Sequence, residues 1–81
     1  MSNLVDAAIA VDEVLEHCKN PQALAYCAGF QDLLAAGDTD RSLQVQANYI
    51  LSNLGGWRGD IARAAKISLK TFIKDYARIG G

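Results

Sequence analysis

The stretch that decides the fold is the last third of the chain, which runs GWRGDIARAAKISLKTFIKDYARIG from Gly56 to Gly80. It reads as two short helices on either side of Ile67 and Ser68, with Ser68 as the cap of the second helix. Helices at about 58–66 and 68–78 would meet at a tight turn. We therefore predict a helix-turn-helix over residues 56–80.

The preceding residues predict three more helices, at about 3–17, 21–36 and 38–54. Asn20 followed by Pro21 is typical of a helix start, because proline at the first helical position loses no hydrogen bond. Gly37 is a typical stop. The fold class predicted for the 81 residues is all-α: one domain, a small bundle of about five helices, with residues 1–54 as bundle and dimerisation helices.

The net charge of −1 conceals a division of charge along the chain. Residues 1–53 hold two basic and seven acidic residues, a net charge of −5. Residues 54–81 hold six basic and two acidic residues, a net charge of +4. Such asymmetry predicts that the carboxyl-terminal part faces a polyanion and that the acidic part points away from it.

Composition predicts a protein interface. A chain this short buries about 60% of its unfolded surface, yet 51% of its residues are hydrophobic. Some apolar surface should therefore meet a partner, most simply a second copy in a homodimer. Trp57 has two readings, as an interface residue or as a structural staple between the third and fourth helices. The interface candidates are the large aromatic residues Tyr26, Phe30, Tyr49 and Trp57.

The sequence predicts neither an enzyme nor a metal or cofactor site. His17 is the only histidine, and it has no serine partner nearby for a catalytic triad and no metal-ligand spacing. Cys18 and Cys27 are expected to be free, buried thiols. The amino terminus lacks a charged leader, and the longest apolar run is far shorter than the roughly 20 residues of a membrane span. We therefore expect a cytoplasmic protein.

The segment from Gly56 to Gly80 resembles the DNA-binding segment of the Fis family, which includes the nucleoid protein Fis and nitrogen-regulator-type activators. The matching positions are Gly56, Ala62-Arg63, Ile67-Ser68, Thr71-Phe72, Lys74 and Gly80. The chain departs from the pattern at Lys66, where the turn usually has glycine, at Leu69, where a basic residue is common, and at Asp75.

The resemblance implies double-stranded DNA as partner, in a small bacterial or phage transcription regulator or architectural protein. A helix-turn-helix places the start of its second helix at base edges, so Lys70 and Thr71 would read bases and the other cations would meet phosphates. An alternative is that the cations are solvated helix ends, and that the chain is a phage-type adaptor or inhibitor that binds protein. The DNA-binding candidates are Arg58, Arg63, Lys66, Ser68, Lys70, Thr71, Lys74 and Arg78.

Overall fold

Four helices make up the computed structural model of the chain, which describes the backbone of residues 3–38 and 40–80 and the side chains of residues 4–38 and 41–74. The helices are α1 (Asn3–His17), α2 (Pro21–Ala36), α3 (Asp40–Ser52) and α4 (Asp60–Gly80). No strand occurs in these ranges, so the all-α prediction is confirmed. Arg78, a predicted phosphate contact, lies outside the described side chains.

The ends of α2 follow the local sequence. The Asn20 side-chain oxygen accepts hydrogen bonds from the backbone N–H groups of Gln22 at 2.9 Å and Ala23 at 3.2 Å. At the other end Gly37 has φ +70°, a left-handed conformation that glycine adopts without strain. The Gly37 and Asp38 N–H groups then donate to the carbonyls of Leu34 and Leu33 in the last turn of the helix. These caps fix both predicted boundaries of α2.

The four helices form a closed ring in which α1 packs on α2, α2 on α3, α3 on α4, and α4 on α1. Phe30 of α2 and Phe72 of α4 meet edge to face at its centre, with ring centroids 6.3 Å apart. Asn20 also donates through Nδ2 to the Asn53 carbonyl at 3.1 Å, so the α1–α2 and α3–α4 connections lie at the same end of the bundle.

Helix α4 corrects the predicted helix-turn-helix. Its 21 residues run through Ile67 and Ser68 without a turn, so the prediction of two separate helices there is wrong. The buried residues of α4 repeat at helical spacing across the expected turn: Ala62, Ala65, Leu69 and Phe72. No glycine or proline interrupts residues 60–79, so nothing local favours a break.

The roles assigned from that turn change with it. Ser68 is a half-buried residue within α4 and does not cap a helix. Lys70 and Thr71 lie in the middle of α4, so they are not at a helix start, where base readers were expected. Leu69 is fully buried in the core.

A pair of alanine substitutions checks that α4 is one helix. Leu69→Ala should lower the free energy of unfolding by about 2–5 kcal/mol, because it leaves a cavity in the core. Ile67→Ala should change it by no more than about 0.5 kcal/mol, because Ile67 is 57% exposed. Denaturant unfolding measures both values. Equal, small effects would mean that Leu69 is at the surface, as the two-helix arrangement requires.

Candidate functional site

The outer side of α4 carries a row of three exposed cations, Arg63, Lys70 and Lys74, which we call the cationic row. Spacings of seven and four residues place them on one side of the helix, over about 16 Å of its axis. Ile67 lies among them and is 57% exposed. Among the side chains that the structure describes, no carboxylate pairs with these cations, since the ion pairs found there both involve His17.

Lys66 is positioned differently from the row. It is half-buried, and its Nζ donates a hydrogen bond of 2.6 Å to the Trp57 carbonyl oxygen. The bond ties the α3–α4 connection to the second turn of α4. A lysine ammonium has three donors, so two remain for other acceptors. Lys66, which the sequence predicts as a phosphate contact, also anchors the α3–α4 connection.

The α3–α4 connection and the first two turns of α4 enclose an open pocket of about 340 Å³, which we call the connection pocket. Among the residues that the structure describes, the charged side chains that line it are all cations: Arg58, Arg63 and Lys66. The remaining lining residues are Gly55, Trp57, Gly59 and Ala62. The pocket therefore continues the cationic row toward the start of α4.

Of the acidic residues on α1, Asp12 faces α2, whereas Glu13 lines a groove beside α4. The Asp12 carboxylate accepts a hydrogen bond of 2.9 Å from Gln31 Nε2, which places Asp12 on the side of α1 that faces α2. His17 pairs with Glu13 at 3.5 Å and with Glu16 at 4.0 Å. These last three side chains lie close enough together to hold a metal ion, but exposed acidic groups are commonly grouped in this way without one.

The four aromatic interface candidates lie in three different environments. Tyr26 and Tyr49 stack with ring centroids 5.3 Å apart, and Tyr49 is 47% exposed. Phe30 is fully buried, so its prediction as an interface residue is wrong, because it packs on Phe72 inside the bundle. Trp57 is half-buried in the α3–α4 connection and packs against the core, which agrees with the staple reading.

The sequence did not predict the apolar groove that lies between α1 and α4. It has a volume of about 250 Å³ and includes Ile9 of α1 and Ile61 of α4, which are 53% and 45% exposed. Ile61 lies at the edge of the buried stripe of α4. Glu13 is the one charged residue among the described residues that line the groove: Ile9, Ala10, Glu13, Ile61, Ala64, Ala65 and Ser68.

Both cysteines are free and buried. Burial raises the pKa of the Cys27 thiol to about 12, and the nearby Cys18 adds to the shift. A thiol is nucleophilic only as the thiolate. Cys27 therefore remains protonated at neutral pH and does not provide a reactive group.

No protein-family model, no curated protein and no solved structure matches this chain. Among the described residues, none of the helices combines the length and the apolar character that crossing a membrane requires.

Replacing Lys66 should loosen the connection pocket. Lys66→Gln should lower the free energy of unfolding by about 1 kcal/mol, because the Trp57 carbonyl loses its charged donor at a partly exposed site. Lys70→Gln removes the same charge from an exposed position and should cost no more than about 0.5 kcal/mol. Denaturant unfolding followed by the fluorescence of Trp57 measures both. Equal effects would show that the hydrogen bond adds no stability.

Proposed function

We propose that this chain binds duplex DNA through the cationic row of α4. The observation that carries the proposal is the placement of Arg63, Lys70 and Lys74 on one exposed side of a single helix, without acidic partners among the described residues. Phosphate contacts by lysine and arginine release counterions from DNA and supply most of the non-specific affinity.

The dimensions of the bundle favour phosphate contacts over base reading. The major groove is about 12 Å wide, which admits one helix. Here α4 lies in the ring between α1 and α3, and the two shorter dimensions of the molecule are 22 and 20 Å. Helix α4 is flanked by both neighbours and does not stand apart from the bundle, so we expect its cations to meet phosphates along the groove edges. Affinity should then depend strongly on salt and weakly on sequence.

The distribution of acidic residues gives the orientation. Residues 1–53 hold seven of the nine acidic residues. Asp12 lies toward α2, where Gln31 donates to its carboxylate, whereas Glu13 lines the groove beside α4. Binding along α4 therefore keeps Asp12 at a distance from the phosphates, which limits the repulsion that an acidic protein meets near DNA.

A matched pair of double variants tests the row. Lys70→Gln with Lys74→Gln should weaken duplex binding and lower the slope of log affinity against log salt by about two units, one for each lost phosphate contact. Lys19→Gln with Arg41→Gln changes the net charge equally outside α4 and should leave the slope almost unchanged. Fluorescence anisotropy of a labelled duplex over a salt series measures the slope.

If both double variants lose the same duplex affinity, then binding depends on net charge and not on the cationic row. Absence of duplex binding by the unaltered chain at low salt would contradict the proposal outright, and would favour the second candidate.

The second candidate is a protein-binding module, and the apolar groove between α1 and α4 favours it. Val5 and Ile9 lie one turn apart on α1 and are 57% and 53% exposed, and Ile61 adds to the same patch from α4. Exposed apolar residues grouped in this way are typical of an interaction site. The simplest occupant is a second copy of the chain in a two-fold dimer.

Sedimentation tests the second candidate. If the groove holds a second copy, the unaltered chain sediments as a dimer, and Ile9→Glu with Ile61→Glu shifts it to the monomer, because burial of unpaired carboxylates at the interface is costly. Val45→Glu is the control, since Val45 is 46% exposed on α3 and does not line the groove. A chain that is monomeric at every concentration would rule out this occupant.

A further inference from the structure

We propose that the connection pocket is a binding site for a phosphate group. All three charged side chains that line it are cations, Arg58, Arg63 and Lys66. The acidic neighbour Asp60 is exposed and does not line the pocket. If the phosphate belongs to DNA, the inference rests on the proposed function. Binding of the free phosphate ion does not depend on that function.

The chemistry of the three cations suits an oxyanion. A guanidinium group is a planar fork of donors that matches two phosphate oxygens at once, and the pocket has two of them. Arg58 and Arg63 are both exposed, so their donors are free to turn toward a ligand. An ammonium group adds a compact point charge, which Lys66 provides.

Lys66 is already held in place before a ligand arrives. Its bond of 2.6 Å to the Trp57 carbonyl fixes the ammonium at the side of the pocket. A fixed donor loses little conformational entropy when a ligand binds. The anchor therefore supplies one preorganised positive charge, beside which the two arginine side chains close on the anion.

The backbone leaves room for the ligand. Gly59 has φ +116°, a conformation that residues with a side chain rarely adopt. A Cβ atom placed on Gly55 or on Gly59 would have no atom within 4 Å, which shows that the space beside these glycines is open. The Gly59 carbonyl accepts a hydrogen bond of 2.9 Å from the backbone N–H of Arg63. This bond forms the first turn of α4, which lies beside the pocket.

Two sources could present the phosphate: a nucleic acid, through its backbone or its terminal group, or the free ion. Both sources present the same chemical group, a tetrahedral oxyanion with at least one negative charge. Trp57 gives a direct readout, because it lines the pocket and is the only tryptophan of the chain.

The experiment titrates the full chain with inorganic phosphate and follows Trp57 emission, with chloride added to keep the ionic strength constant. We expect a saturable change in emission. Arg58→Gln should weaken phosphate binding about tenfold, as expected for one lost hydrogen bond to a charged group. Arg41→Gln makes the same charge change on α3 and should leave the affinity unchanged. A linear response, or equal weakening in both variants, would overturn the proposal.

Labelled duplexes with and without 5′-phosphates then identify the source. A loss of affinity in Arg58→Gln for both duplexes supports a backbone phosphate, and a loss for the phosphorylated duplex alone supports a terminal one. If inorganic phosphate saturates the site but no duplex binds, the phosphate site stands and the proposed function fails. If duplex binding depends on Lys70 and Lys74 while phosphate leaves Trp57 emission unchanged, the proposed function stands and this site fails.

Discussion

The constraint on which the rest depends is the packing of one apolar stripe of α4 into the bundle. Ala62, Ala65, Leu69 and Phe72 are all buried, and their spacing continues across the middle of the helix. Burial of this stripe is worth several kcal/mol, which exceeds what any local preference for a turn could offset. Because the stripe faces inward, the opposite side of α4 must face solvent, and there the sequence places Arg63, Lys70 and Lys74.

The same stripe explains why the connection before α4 is ordered. With α4 held in the ring, Lys66 lies within reach of the Trp57 carbonyl and donates to it. Trp57 in turn packs against the core, while Asn20 donates to Asn53 at the same end of the bundle. Side chains from both connections therefore stabilise one end of the molecule. The connection pocket lies at this end, as a consequence of how the helices pack.

Much of this architecture could be predicted from local sequence patterns. The features that could not be predicted depend on contacts between helices. Asn20-Pro21 and Gly37 give the limits of α2, because a cap, a proline and a left-handed glycine act within a few residues. The predicted break at Ser68 depended on reading that residue as a helix cap and on the family resemblance, although Lys66 already lacked the glycine that such a turn uses. Leu4 and Leu15 of α1 are only partly buried, because the ring of helices buries the smaller residues Ala7, Ala10, Val11 and Val14 instead. The apolar groove, the connection pocket and the burial of Phe30 depend on contacts between helices, which no short pattern contains.

The groove between α1 and α4 follows from the size of the residues at that contact. Ala7 and Ala10 on α1, and Ala62 and Ala65 on α4, are all buried, and alanine lets two helices approach closely. Close approach leaves too little room for larger apolar side chains beside them, so Ile9 and Ile61 lie at the rim, about half exposed. The high hydrophobic content of the chain therefore produces both a small core and an apolar rim. That rim lies on the side of α4 toward α1, and the cationic row lies on its outer side, so the two surfaces occupy different sides of the same helix.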